Sequence, residues 1–334
     1  IVIYNMNIGI ANISAAVVIS GIAMTSCSHV AADKPVSFAD FAGTAVMCLD
    51  TDTASAVIMA EETVVGHKAE FDAMAAVMGL GSGNDAVRDW IDSPAVRFFG
   101  HEVDSVFKDS RTVEKQLSHI VSVMEREGLS VPAKSYASVI WGRPQSIVFA
   151  DSVMLIALNH YLGGEHPAYS SLPAYRRRAK DTRTLPYDMA EALVATACPP
   201  ERNNSTLVIN RLIYEGALAY ARMILVEGGN MADALGYSSD ELRWLEDNER
   251  ELWRKMLTSR MVFDKSEATV ERLLYPAPFT NVLSGETPGR AGRYIGYKIV
   301  RSYVDGHRDT KLSDLLSPAF YGKANPLTYI HYNP

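Results

Sequence analysis

Residues 135–158 read SYASVIWGRPQSIVFADSVMLIAL, and this stretch decides the class of fold. It contains three short apolar runs, 135–141, 146–150 and 152–158, each with the β-branched and aromatic residues that favour strands. Gly142, Arg143 and Pro144 separate the first two runs, and Asp151 separates the second from the third. The pattern predicts three strands of one small sheet.

Outside this stretch the chain shows mainly helical periodicity, except that the signal over residues 38–60 is mixed. Ser238 and Glu241 have the spacing of a capping box, which predicts the start of a helix at 238. Pro199-Pro200 ends the predicted helix over 186–197. The predicted helices cover 67–80, 85–91, 112–127, 186–197, 205–226, 238–261 and 287–306. The sequence therefore predicts an α+β fold, in which a mainly helical single domain over residues 38–334 packs around a small β-sheet.

Composition narrows the class of protein. The 334 residues are 48% hydrophobic and 21% charged, which is ordinary for a globular protein large enough to bury a core. The net charge of −7 and the lack of a long Lys/Arg run argue against a nucleic-acid partner. The chain has three cysteines, too few for a disulfide scaffold, although Cys48 and Cys198 could form one disulfide in an oxidising compartment.

The first 32 residues contain no charged side chain, and 8–24 are rich in Ile, Val and Ala. The sequence Met24-Thr25-Ser26-Cys27 follows, with small residues directly before a cysteine. An apolar run of this length is typical of a secretory leader. We therefore predict a signal peptide over 1–26, a tether over 27–37 and the globular domain from residue 38.

Small residues before Cys27 resemble the bacterial lipobox. In that motif the cysteine thiol receives diacylglycerol and the leader is cleaved before it, so the resemblance implies lipid attachment at Cys27 and anchoring to a membrane. The leader lacks the Lys or Arg that usually begins such a signal. Two alternatives stay open: an uncleaved membrane-spanning helix, and an ordinary secretory signal in which Cys27 has no role. All three place the domain outside the cytoplasm or at a membrane surface.

The segment 288–303 (PGRAGRYIGYKIVRSY) is the most distinctive in the chain. On a helix, Gly292 and Gly296 share one face, and interior glycine at that spacing indicates that another backbone packs close by. Arg290, Arg293 and Arg301 share another face. They are candidate binding residues for an anion, a partner carboxylate or a lipid headgroup zone; the alternative is internal salt bridging.

This segment resembles the C-terminal signature of the gliding-motility-associated lipoprotein B (GldB) family of Bacteroidota. Three further stretches match in the same order: LNHYLG at 158–163 with His166-Pro167, IYEG at 213–216, and GYS at 236–238 followed by Trp244, Asn248-Glu249 and Trp253. The resemblance covers residues 38–334. It implies a lipid-anchored protein of the cell envelope, in the outer membrane, that is linked to gliding or to the type 9 secretion system and has envelope proteins as partners.

The resemblance also suggests a distant likeness to zinc peptidases of the gluzincin kind, as a degenerate scaffold. Glu215-Gly216-Ala217-Leu218-Ala219 is similar to the helix that supplies the third zinc ligand in those enzymes. The chain has no HExxH, and the helix that should carry it, YDMAEAL at 187–193, lacks histidine. Because that motif supplies two imidazole ligands and a general base, we expect no catalytic metal and no other cofactor. Glu215 has the alternative of pairing with Arg211 one turn earlier.

The leading functional prediction is a non-catalytic, lipid-anchored envelope component. One alternative is a hydrolase with an unrecognised site built on Glu215, His160 and Asp188, and another is a lipoprotein that binds a small ligand or a glycan. Tyr161, Tyr169 and Tyr175 are candidates to line a cleft beside the sheet.

Overall fold

A computed structural model of the chain describes residues 32–81, 83–201, 206–323 and 332–334. The residues from Asp33 onward form one compact unit. The predicted signal peptide and Cys27 lie outside the described residues, so the leader and the lipid attachment stay predictions. No helix in the described ranges is long and apolar enough to cross a membrane.

The sheet has four strands, β1 (Phe38–Asp40), β2 (Ser135–Val139), β3 (Ile147–Ala150) and β4 (Val153–Ala157), in the order β1-β2-β4-β3. Strands β1, β2 and β4 are parallel, whereas β3 pairs antiparallel with β4 at the edge. Residues of β2 and β4 are buried throughout, which explains their continuous apolar runs. The three predicted strands are confirmed. The short β1 was not predicted.

Sixteen α-helices lie in the described residues. They are α1 (Phe41–Leu49), α2 (Thr53–Gly66), α3 (Lys68–Met78), α4 (Asn84–Ile91), α5 (Pro94–Val106), α6 (Arg111–Arg126), α7 (Ala174–Arg178), α8 (Leu185–Ala197), α9 (Val208–Leu225), α10 (Met231–Leu235), α11 (Ser239–Asp247), α12 (Glu249–Thr258), α13 (Glu267–Leu274), α14 (Ala291–Gly306), α15 (Leu312–Leu315) and α16 (Pro318–Tyr321). Helices α1, α3 and α8 pack against the sheet, and α9 packs against α8, α13 and α14. The α+β class and the mainly helical content are confirmed.

Side-chain caps start several of the helices that the periodicity did not predict. The carboxylate of Asp40 accepts from the backbone of Gly43 at the start of α1, and Asp52 accepts from two amides at the start of α2. Ser93 caps α5, which has Pro94 in its first turn. These caps satisfy amides that would otherwise lack partners, so the ends of the helices are fixed although their apolar pattern is weak.

Helices α9 and α14 pack with their backbones in contact. A Cβ at Gly216 would overlap the carbonyl group of Gly296, and a Cβ at Gly296 would overlap the carbonyl oxygen of Leu212. Gly292 is also enclosed, by Leu212 and the backbone of Leu273. The prediction that another backbone lies against Gly292 and Gly296 is confirmed.

Two predicted helix boundaries were wrong. The predicted helix 287–306 begins only at Ala291, because residues 279–280 and 287–288 pair with each other: Phe279 forms a bridge with Pro288, and Thr280 N donates to Thr287 O at 2.8 Å. The predicted helix 238–261 is two helices that meet at Asn248. The capping box of Ser238 and Glu241 is present. Cys48 and Cys198 are free thiols, so the disulfide left open by the sequence is not formed.

Candidate functional site

A cleft of about 1230 Å³ opens at the carboxyl ends of the parallel strands β2 and β4. Trp141 follows β2 and His160 follows β4, and both line the cleft. Asp188 of α8, Arg222 of α9 and Arg290 before α14 form the opposite side. The carboxyl edge of a parallel sheet is where ligands commonly bind in α/β proteins, because loops and helix ends converge there.

The lining of the cleft is strongly basic although the protein as a whole is acidic. Three carboxylates face it, those of Asp188, Asp233 and Glu241, against seven cationic side chains. The cations are Arg143, Arg176 and Arg183, which are exposed at the rim, and Arg178, Lys180, Arg222 and Arg290, which are half-buried or buried further in. Four more cations than carboxylates therefore surround the space, which favours an anionic occupant.

An ion-pair network joins α8, α9 and α14 behind this lining. Arg293 donates to both carboxylate oxygens of Glu191, at 3.2 and 2.8 Å, and Arg222 donates to the same carboxylate. Burial raises the pKa of Glu191, but the charges of Arg293 and Arg222 outweigh burial and hold that pKa well below its usual range. Glu191 is therefore a permanently charged structural anion at neutral pH.

Asp188 extends the network to the wall of the cleft. It accepts from the hydroxyl of Tyr161 at 3.0 Å and lies 3.4 Å from Arg222 Nη2. Burial raises the pKa of Asp188, and the charge of Arg222 offsets only part of that effect. Of the tyrosines considered for the cleft, Tyr169 and Tyr175 line it, whereas Tyr161 is fully buried and donates to Asp188.

His160 and Lys180 meet at Ser146 on the other side of the cleft. His160 Nδ1 lies 3.0 Å from the hydroxyl oxygen of Ser146, and Lys180 Nζ donates to the same oxygen at 3.4 Å. Burial, assisted by the charge of Lys180, lowers the pKa of His160 to about 4. Burial also lowers the pKa of Lys180, with Asp188 acting in the opposite direction. His160 is therefore neutral at physiological pH and offers a hydrogen bond rather than a charge.

Arg290 has an unusual backbone for its residue type. Its φ of 60° lies in the left-handed region, where residues other than glycine are uncommon. Its Nε donates to the carbonyl of Leu274 at 3.1 Å, and the hydroxyl of Tyr237 donates to the carbonyl of Gly289 at 2.9 Å. Burial and the charge of Arg293 lower the pKa of Arg290 to about 10, against the effects of Glu191 and Glu215.

The structure separates the three arginines that the sequence placed on one helix face. Because α14 begins at Ala291, Arg290 precedes the helix and lines the cleft. Arg293 is 1% exposed and is held in the pair with Glu191. Arg301 is exposed and pairs with Asp305 one turn later. Internal pairing therefore accounts for Arg293 and Arg301, and only Arg290 reaches the cleft.

Of the weak catalytic candidates, His160 and Asp188 line the same cleft, and Glu215 does not line it. Glu215 lies on α9, and its carboxylate makes no ion pair with Arg211 within 4.0 Å. Within the described ranges, no group of three or more His, Cys, Asp or Glu side chains is arranged to hold a metal ion.

Glu191 and Arg222 are important residues of the site that the sequence reasoning missed. Glu191 lies three residues after Asp188 and therefore on the same side of α8, which is the signal that could have found it. Arg222 is the one charged residue in the apolar run 216–225 of α9. A charged residue inside such a run indicates a buried partner.

The comparison with protein families gives a match over residues 56–322, to the family described as gliding motility protein GldB. The chain belongs to the GldB family. The match includes the carboxyl-end cleft, the buried network and both glycine-bearing helices. GldB is a family of cell-envelope lipoproteins related to gliding motility, so the resemblance stated from the sequence is confirmed. No curated protein and no solved structure matches the chain, and the likeness to zinc peptidases stays a prediction.

Proposed function

We propose that this GldB protein is a lipid-anchored component of the cell envelope, held in the outer membrane by acyl chains on Cys27. Its domain acts by binding other envelope components of the gliding or type 9 secretion machinery. The family match over residues 56–322 is the observation that carries the proposal. The uncharged leader with small residues before Cys27 supports the anchor.

The charges near the cleft support binding rather than catalysis. Glu191 is neutralised by two arginines, and Arg178 at the cleft wall is paired with Glu241. His160 is hydrogen-bonded to Ser146 and has a pKa of about 4, far from the neutral range in which a general acid or base works best. These groups are arranged to hold one another and to present positive charge.

Incorporation of labelled palmitate tests the anchor. The unaltered protein should take up the label in its native host, and Cys27→Ser should not. Cys48→Ser is the matched control, because its thiol is buried in the folded domain, and it should label as the unaltered protein does. Separation of the inner and outer membranes then locates the labelled protein. Equal labelling of the Cys27→Ser variant would refute lipid attachment at this residue.

A hydrolase is the second candidate, because His160 and Asp188 share one cleft and burial raises the pKa of Asp188. A carboxyl that keeps its proton nearer to neutral pH is suited to donate that proton. Turnover of peptide or ester substrates by the purified protein, lost in Asp188→Asn, would favour this candidate. Stoichiometric zinc in the same preparation would overturn the non-catalytic proposal.

A further inference from the structure

Two cations inside the cleft make no direct ion pair with a carboxylate of the described residues, although Asp188 acts on Lys180, and Glu191 and Glu215 act on Arg290, from a greater distance. Arg178 pairs with Glu241, and Arg222 pairs with Asp188 and Glu191. Lys180 and Arg290, by contrast, make no ion pair within 4.0 Å among the described residues. The polar contacts of these two side chains are the hydroxyl of Ser146 for Lys180 and the carbonyl of Leu274 for Arg290.

Both side chains are partly buried, so the lack of an ion-pair partner costs free energy in the folded state. Burial lowers the pKa of Lys180 and, with Arg293, that of Arg290. A cation that loses hydration without gaining a counter-ion destabilises the folded state, and a bound anion relieves that cost. Lys180 and Arg290 therefore lack a negative charge in direct contact, which an anionic ligand can supply.

The backbone around Arg290 shows that its position is imposed by the fold. A left-handed conformation is unfavourable for a residue with a side chain, because its Cβ approaches the following carbonyl oxygen. The hydrogen bonds from Tyr237 to Gly289 and from Arg290 to Leu274 hold it in place. Strain of this kind clusters at binding sites, where surrounding structure fixes a side chain in advance.

Charge and geometry together define the occupant. Four more cations than carboxylates line the cleft. Asp181, which pairs with Arg183, and the groups behind the wall, Arg293, Glu191 and Glu215, together add two net negative charges, so an excess of positive charge remains. A single carboxylate would neutralise only one of the unpaired cations, whereas a phosphate monoester carries a charge of about −1.5 to −2 at neutral pH. We propose that the cleft binds a ligand bearing a phosphate monoester, whose charge Arg290 attracts from one side of the cleft and Lys180 from the other. This inference rests on the proposed binding function of the domain.

The volume of the cleft indicates that phosphate is only part of the ligand. About 1230 Å³ exceeds the roughly 300–1000 Å³ of ordinary small-molecule pockets. Tyr175 and the exposed Tyr275 line the same space and offer ring faces to a sugar or an acyl glycerol body. Two kinds of ligand carry a phosphate monoester: a soluble phosphorylated compound and a lipid with a phosphate headgroup.

Calorimetric titration of the full chain in a nonionic detergent tests the inference. The probes are glucose 6-phosphate for the soluble source and dihexanoyl phosphatidic acid for the headgroup source. Arg290→Gln and Lys180→Gln should each weaken binding by about tenfold or more, since each removes a partly buried positive charge that attracts the ligand. Two separate variants guard against a folding defect in one, and circular dichroism verifies that each is folded.

Arg254→Gln is the matched control, because Arg254 is exposed on α12, pairs with Glu251 and does not line the cleft. It should bind as the unaltered protein does. Partition of the lipid probe into detergent is the same for all variants, so it does not affect the comparison of their binding affinities. The probe that binds tighter with this dependence on Arg290 and Lys180 identifies the source. Binding of neither probe, or equal binding by all variants, overturns the inference, while palmitate labelling at Cys27 reports separately on the proposed function.

Discussion

Arg293 and Glu191 form a two-pronged ion pair that ties α14 to α8, with donor–acceptor distances of 3.2 and 2.8 Å. Arg293 is 1% exposed, and Arg222 from α9 donates to the same carboxylate. Helix α14 is thereby joined to the consecutive helices α8 and α9 at one buried anion. The pair sits directly behind the cleft, so its integrity sets the positions of Arg222 and Asp188.

Removal of one partner of this pair should destabilise the fold strongly. We expect Glu191→Gln to lower the free energy of unfolding by about 3–5 kcal/mol, because it leaves two buried guanidinium groups without their anion. Urea denaturation followed by circular dichroism measures the change. Glu251→Gln, which breaks the exposed pair with Arg254, is the control and should cost less than about 1 kcal/mol. A similar small effect at both sites would contradict the structural role of Glu191.

Acid should lower the stability of the folded protein, in part because it protonates the carboxylate of Glu191. Because the folded protein holds the pKa of Glu191 well below its unfolded value, the stabilising contribution is complete above that unfolded value, about 4.3. It is lost progressively as the pH falls below this point toward the depressed folded pKa. The difference in unfolding free energy between the unaltered protein and Glu191→Gln should therefore shrink from about pH 5 to pH 2. A difference that is constant over this range would show that the pKa is not depressed.

The contact between α9 and α14 should tolerate no added methyl group. Gly216→Ala would place its Cβ against the carbonyl of Gly296, and the obstacle is backbone that cannot rotate away. We expect a loss of about 1–3 kcal/mol from overpacking, in spite of the better helix propensity of alanine. Gly306→Ala on α14 is the control, since a Cβ there meets nothing within 4 Å. Thermal unfolding compares them, and equal midpoints for the two variants would refute the close approach.

His160 should stay neutral through the physiological range. Burial and then the charge of Lys180 lower its pKa to about 4, so its imidazole signals in NMR should not titrate above about pH 5. In Lys180→Gln the pKa should rise toward the usual value of about 6.5, without reaching it because the burial remains. Titration of His160 near 6.5 in the unaltered protein would contradict the buried position of its ring.

The strands and long helices could be predicted because their patterns depend on local sequence. The apolar runs within 135–158 predicted strands β2, β3 and β4. Gly292 and Gly296 predicted that another backbone packs against their helix. Strand β1 has only three residues, and its partner β2 is about 100 positions later, so it carries no local signal. The start of α14 was misplaced because Thr287 and Pro288 pair with residues 279–280, a contact that no periodicity reveals.

The site could be predicted only in part for the same reason. Sequence reasoning selected His160, Asp188 and Arg290, which the fold brings to one cleft. It could not distinguish Arg290 from Arg293, because the two differ only in whether they precede or enter a helix. The role of Glu191 and Arg222 depends on the ion pair between them, and these residues are 31 positions apart in the sequence. Pairings of that kind are properties of the tertiary structure.

Direct contact between the backbones of α9 and α14 also has a consequence for recognition. Because the backbones of the two helices touch at Gly216 and Gly296, the helices have little room to shift against each other, and Arg222 and Arg293 are held in fixed positions on them. That side of the cleft is preorganised, so an incoming molecule loses little affinity to conformational entropy there.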